Sequence, residues 1–198
     1  MKNKTQKSSL KNILDFISEA GMLKRVTRSG WSVLGIKNAE SVAEHSFRCA
    51  VIGYVLANME KVTAYKVLLM TLFGDLQEAR ITDLHKMAQF YFDLPAAEDK
   101  AFTAQIQSLP KKIKKELTAI RKEYNEQKTK ESIIARDADI LECLIQAKEY
   151  QEQGFLAAKK FMQKAPRCLE TKSARKLYKT ARDISLCDWW MKLSVFKR

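Results

Sequence analysis

Apolar residues recur along this chain at intervals of three and four, and no segment sustains the strict alternation of a half-buried strand. A first stripe, Leu10, Ile13, Leu14 and Ile17, predicts a helix over 9–20, with Gly21 where a C-terminal cap belongs. Residues 22–39 lose the helical period and read as one structured loop containing Arg28-Ser29-Gly30-Trp31. Ser41 and Glu44 have the Ser-x-x-Glu spacing of a capping box and open a helix to about residue 58. The next helix, 63–78, is apolar almost all round over 67–73 and therefore belongs at the centre. Short helices over 83–92 and 96–107, a basic helix from Pro110 to residue 127 and a long helix over 131–153 follow. Shorter ones over 155–164, 170–182 and 187–195 finish the chain. The class is all-α, a single domain of about nine helices over 9–198 behind a loose basic tail over 1–8.

Composition supports that picture. A chain of 198 residues with 46% hydrophobic content and only 6 Gly and 3 Pro can build a real core. It has too few turn formers for a β-sandwich and too much apolar material for a disordered chain. The longest apolar run, 67–73, is far short of the roughly 20 residues that span a bilayer, so no membrane role is expected. The polar, basic N-terminus lacks the apolar core of a signal peptide. Cys49, Cys143, Cys168 and Cys187 form no Cys-x-x-Cys pair, which fits a reduced, cytoplasmic setting.

Charge complicates the reading. Lys and Arg number 36 against 23 Asp and Glu, a net +13, which invites nucleic acid or an anionic small molecule as partner. Lys111, Lys112, Lys114 and Lys115 crowd one helix start, and the C-terminal third is rich in Lys and Arg. Solvated helical faces account for such runs more simply than nucleic acid does. No aromatic residue interleaves the lysines over 111–122, as a single-strand stacking platform would need.

Chemistry is better sought where ionisable groups break apolar stripes, because such a group is costly to bury unless it is paired or coordinates something. His45 sits among Val42, Cys49, Ile52 and Leu56 on one helical face. By itself it reads first as a hydrogen-bonded core histidine. Asp75 ends the apolar run of its helix on a face with Leu68, Thr71 and Leu72, and Glu78 lies one turn on. A helix reaching solvent would look the same. Asp139 is flanked by Ile134, Ala135, Ala138 and Cys143, with Asp137 and Glu142 as charged neighbours, and reads as an ion-pair partner or a metal ligand. Taken together, one imidazole and two carboxylates from three helices form a ligand set suited to a divalent ion with open water positions.

These same segments resemble the motifs of the HD-domain metal-dependent phosphohydrolases. Glu40-Ser-Val-Ala-Glu-His45-Ser is similar to the first His motif, and Gly74-Asp75-Leu-Gln-Glu78-Ala-Arg-Ile-Thr-Asp83-Leu-His to the second. Arg136-Asp-Ala-Asp139-Ile-Leu-Glu resembles the distal Asp motif, Arg28-Ser-Gly-Trp31 an N-terminal Arg-x-Gly-Trp loop, and Asp188-Trp-Trp-Met a C-terminal tryptophan motif. Order and spacing match from about residue 10 to 195, on the branch that contains the 5′-deoxynucleotidases. The resemblance implies an HD-type helical bundle and metal-dependent hydrolysis of a deoxyribonucleoside 5′-monophosphate. His45, Asp75 and Asp139 would be the metal ligands and Glu78 an acid–base or water-positioning group. Asp83 would lie near the leaving ribose oxygen, Arg28 would hold the phosphate, and Trp31 would border the nucleoside pocket. A homodimer is also implied.

One position departs from the family pattern. The His of the His-Asp doublet is Gly74 here, and the usual Gly before the second-motif Asp is Thr82. His85, the chain's only other histidine, lies past a helix end. Either His45, Asp75 and Asp139 still hold Mn, Co or Mg, with the oxygen-rich set favouring the harder Mn²⁺ and Mg²⁺, or the chain is a degenerate relative that binds nucleotide or nucleic acid without hydrolysis. The retention of Glu78, Asp83 and Arg28 favours the first.

Overall fold

The computed structural model describes residues 2–191 and 193, with side chains from Ser9 onward. Among the described residues it contains ten α-helices and five short 3-10 turns, and its one extended pairing is an isolated bridge between Thr27 and Ser41. The helices are α1 (Lys2–Ala20), α2 (Val42–Glu60), α3 (Ala64–Leu72), α4 (Glu78–Ile81), α5 (Lys86–Gln89), α6 (Leu94–Ile106), α7 (Lys111–Glu126), α8 (Lys130–Glu152), α9 (Phe161–Lys164) and α10 (Lys172–Asp183). The all-α expectation holds, with α1 beginning at Lys2 rather than at Ser9.

α8 is the axis. Its alanines Ala135 and Ala138 are fully buried, which lets α2 and α3 pack closely against it around Cys49, Leu56, Val67, Met70 and Leu141. A second apolar cluster joins α1, α2 and α6 through Phe16, Val42, Leu76, Phe102 and Ile106. A third ties the Ser29–Leu34 turn to the C-terminal half of α8 through Trp31, Ala147 and Tyr150. The expected capping box is present: Ser41 accepts from the Glu44 amide, and the Glu44 carboxylate accepts from the Ser41 amide. Asp137, buried on α8, accepts hydrogen bonds from the Glu170 and Thr171 amides and the Thr171 hydroxyl (2.6–2.8 Å), which fixes the start of α10.

Several boundaries differ from the sequence reading. The helix expected over 63–78 stops at Leu72, so Asp75 does not share a helical face with Leu68 and Leu72. Phe73 leaves the helical region (φ −103°, ψ 4°), and a Cβ at position 74 would lie 2.9 Å from the Met70 carbonyl oxygen, so the backbone here would have to shift to take a larger residue. Glycine is also a poor helix former, so the chain turns here, and Asp75 sits on the turn between α3 and α4. The segment 83–92 keeps only the single turn of α5. The segment 155–164 is a 3-10 turn running into α9. Of the helix expected over 187–195, residues 188–190 form a 3-10 turn, and positions 192, 194 and 195 lie outside the described residues.

Candidate metal centre

His45 is the hub. Its ring is buried (1% exposed) on the inner face of α2, where the apolar stripe placed it. Nε2 lies 3.4 Å from Asp75 Oδ2 on the α3–α4 turn and 3.2 Å from Asp139 Oδ1 on α8. Three segments distant in sequence thus bring the expected imidazole and two carboxylates together. On the other edge of the ring, Nδ1 contacts the fully buried carboxylate of Glu142.

Glu142 is itself held by Arg48, whose Nε donates to Oε1 at 2.8 Å. The same guanidinium spans Glu149 (2.7 and 2.8 Å) and Gln146. Burial pulls the imidazole pKa down, but its contacts with Asp139, Asp75 and Glu142 outweigh that and raise it well above the ordinary value. With Nδ1–H committed to Glu142, Nε2 is the atom that can exchange its proton for a metal ion, the carboxylate–histidine arrangement that fixes a ligating tautomer. The donor chemistry fits a divalent cation bound by His45 Nε2, Asp75 and Asp139.

Glu40, His45 and Glu142 also approach one another closely enough to suggest a metal trio. Their oxygens are already engaged: Glu40 Oε1 accepts the Trp31 indole N–H at 2.9 Å, and Glu142 faces Arg48 and His45 Nδ1. These contacts hold the rear edge of the ring.

The remaining acidic residues face the same space. Glu78 follows Asp75 by one turn, its amide donating to the Asp75 carbonyl at 3.0 Å. Glu78 as a residue is 8% exposed, and its Oε2 is buried with no hydrogen-bond partner among the described residues. Burial, and then repulsion from Asp75 and Asp83, push the Glu78 carboxyl up to about 10. Asp75 and Asp139 are shifted the other way: burial would raise them, but His45 and Arg28 hold both below the usual carboxylate range. Arg28 lies 3.7 Å from Asp75. Burial disfavours its charge, yet Asp75, Asp139, Asp83 and Glu78 keep the guanidinium ionised. Asp83 Oδ2 accepts from the Ser29 amide at 2.6 Å, which ties the Arg28 loop to the segment after α4.

The turn carrying Asp75 is held from behind. Arg121 on α7 donates to the Gly74 carbonyl (3.1 Å) and to Gln77 Oε1 (2.9 Å), while Gln105 on α6 donates to the Leu76 carbonyl (3.0 Å). Thr82 has φ +62° and ψ 167°, a conformation that a β-branched residue rarely adopts and that explains why glycine is usual there. His85 caps α5 through Nδ1, which accepts from the Ala88 amide at 3.1 Å, and does not replace the missing imidazole.

Trp31 is 2% exposed and packs on Tyr150 and Phe161 with ring centroids 5.1 and 4.7 Å away. It touches the site through Glu40, behind the ring of His45, rather than as an open wall. Glu142, Glu40 and Arg48 are the members that the sequence reading missed as site residues. Glu142 alone had a local signal, its place among the acids of α8; Glu40 and Arg48, before and on α2, had none.

Comparison with known proteins agrees with this architecture. The HD domain family matches residues 20–180, and the chain belongs to that family. Within it, 5′-deoxynucleotidase HDDC2 of Xenopus laevis is 30% identical over 146 residues, covering 73% of this chain and 72% of the relative. The human protein of that name is 28% identical, covering 72% and 70%. Among solved structures, a conserved hypothetical protein from Pyrococcus furiosus superposes with TM-score 0.74 at 34% identity, over 86% of this chain and 99% of that one. A predicted metal-dependent phosphohydrolase from Magnetospirillum magnetotacticum shares the fold (TM-score 0.72, 23% identity, 90% and 93% coverage).

Proposed function

We propose that this chain hydrolyses a phosphomonoester in a metal-dependent reaction, with a deoxyribonucleoside 5′-monophosphate as substrate. The observation that carries the reading is the convergence of Asp75 and Asp139 on His45 Nε2 while Glu142 holds Nδ1. The 5′-deoxynucleotidase relatives supply the substrate class. A divalent ion bound there supplies Lewis acidity and a lowered pKa for a coordinated water.

The side chains divide the remaining work. Water oxygen attacks phosphorus, the bond from phosphorus to the ribose 5′ oxygen breaks, and the products are nucleoside and inorganic phosphate. Arg28 leaves its contact with Asp75 to hold the phosphate oxygens, for which a guanidinium is well shaped. Glu78 orients the attacking water and manages its proton. Asp83 stands toward the leaving oxygen and anchors the Arg28 loop through the Ser29 amide. Trp31 acts through Glu40. Among the ions, Mn²⁺ and Mg²⁺ suit the oxygen-rich set better than Co²⁺.

The reading extends to the setting of the protein. Four free thiols support a reducing, cytoplasmic location. Among the described residues, no helix is long and apolar enough to cross a membrane. Phe47, Val51, Tyr54 and Val55 expose an apolar stripe on α2 that supports a homodimer. The basic surface assists by attracting anions.

Phosphate release from deoxynucleoside monophosphates with Mn²⁺, Co²⁺ or Mg²⁺ tests the reading. Turnover is expected with at least one ion and is lost in Asp139→Ala. No turnover with any ion, or an unaffected variant, overturns it and leaves the nucleotide-binding alternative that Gly74 suggests.

A further inference from the structure

A second guanidinium stands at the front of His45. Arg136 lies one turn before Asp139 on α8, and its Nη1 donates to Asp139 Oδ2 at 3.3 Å. The side chain is half exposed, yet it is held in place. Its guanidinium carbon lies 5.2 Å from the centre of the Tyr124 ring on α7, a cation–π contact. Tyr124 also lines the small cavity beside Gly74, together with Met70 and Phe73. The stacked guanidinium therefore stands on the Gly74 side of the centre. Among the described residues, its side chain makes no hydrogen bond besides the one to Asp139. A guanidinium has five N–H donors in a planar fork, so most of this fork is open to a ligand. Arg28 is in the same condition: it lies 3.7 Å from Asp75, beyond hydrogen-bond reach. Each of the two carboxylates thus carries one arginine with donors to spare. The positive groups that act on Asp139 are His45, Arg28 and Arg136. His45 is committed to the cation and to Glu142, which leaves the two guanidiniums for an anion.

We propose that Arg136 is a second phosphate-binding residue, which turns from Asp139 to the substrate phosphate as Arg28 turns from Asp75, so that two guanidiniums clamp the phosphoryl oxygens. The inference rests on the metal-dependent reading above and adds a substrate contact to it. A cation bound between Asp75 and Asp139 takes up their charge and weakens both arginine pairs, so metal binding prepares the clamp. An exposed ion pair three residues apart on one helix contributes little to a fold and is readily exchanged. Guanidinium–phosphate bonds are charge-assisted and can be bidentate, which favours the exchange. Stacking on Tyr124 orients the fork in advance, a service that an ammonium group would not receive in the same way. The clamp also holds inorganic phosphate, the product, after the nucleoside has left.

Inorganic phosphate binding to the full-length, Mn²⁺-loaded protein, measured by calorimetry, tests the assignment. Arg136→Gln is expected to raise the phosphate Kd at least fivefold and to change the Mn²⁺ Kd less than threefold. A phosphate Kd raised less than fivefold overturns the proposal. So does a Mn²⁺ Kd raised threefold or more, because Arg136 would then serve to steady Asp139. Thermal unfolding supplies the fold control, and the variant should melt with the wild type. If Arg136→Gln does not fold, Arg136→Lys, which keeps the charge without the fork, must raise the phosphate Kd at least threefold. Phosphate release by the wild type with unchanged phosphate affinity in Arg136→Gln defeats only this assignment. Arg136-dependent phosphate binding without turnover of any deoxynucleoside monophosphate defeats only the hydrolytic reading. A Mn²⁺-loaded wild type that binds no phosphate overturns the assignment, and one that takes up no Mn²⁺ overturns both.

Discussion

The two edges of the His45 ring are built differently. Behind Nδ1, every charged group has a partner: Glu142 faces His45 and Arg48, and Arg48 reaches Glu149 and Gln146. In front of Nε2, Asp75 rides on a turn between a glycine that packs against a carbonyl and a threonine in a strained conformation. Ser29 Oγ and Glu78 Oε2 are buried there without partners. The rear is a finished polar network that fixes one geometry. The front keeps unmet polar atoms and backbone strain, which collect where a ligand has to be accommodated. Gly74, the departure from the family motif, lies at the front, where the site depends on a turn.

The largest effect is expected from a change at the rear. Glu142→Gln leaves the shape of the network but removes the charge that orients Nδ1–H. Metal affinity and turnover are expected to fall by about 10–100-fold, the usual effect of losing such an outer partner. Calorimetry with Mn²⁺ and a phosphate-release assay measure it, and an effect below threefold would mean that the rear network does not tune the ligand. At the front, Thr82→Gly should relieve strain of about 1–3 kcal/mol, partly offset by the roughly 0.5–1 kcal/mol that glycine costs in chain entropy. A net gain of about 1 kcal/mol in urea unfolding is expected, and a loss would show that Thr82 is held without strain.

The smallest effect is a pH dependence at the rear. Burial and the neighbouring Glu142 raise the Glu40 carboxyl to about 7. Between its ordinary value near 4.5 and that value, the folded protein keeps a proton that the unfolded chain has released. Stability from this group is therefore complete below pH 4.5 and is lost as pH rises through about 7. Urea midpoints of wild type and Glu40→Gln, compared from pH 5 to 8, should diverge in wild-type slope over that window. Parallel curves would place Glu40 in an unperturbed setting.

Much of this centre was readable before any coordinates. The capping box at Ser41 set the register of α2, and that register alone turned His45 inward with Val42 and Cys49. The apolar flanks of Asp139 placed it on the buried side of α8 in the same way. Periodicity could not place Asp75, because extending the helix through position 74 ignores the carbonyl that Gly74 approaches, a contact set by the backbone path. It could not find Glu142 or Arg48 either. Their roles come from contacts across 94–97 residues of sequence, and in isolation an acid on α8 is indistinguishable from a solvated one. Trp31 was placed beside the nucleoside pocket by its motif; its indole packs in the third core and donates to Glu40.

The proposed hydrolysis requires a cation in front of His45 despite the missing imidazole. Anomalous diffraction at the manganese edge, from crystals grown with Mn²⁺, tests it most directly. A peak is expected on the Nε2 side of His45, bounded by Asp75 and Asp139. A peak on the Nδ1 side among Glu40 and Glu142, or none at either edge of the ring at saturating Mn²⁺, would contradict it.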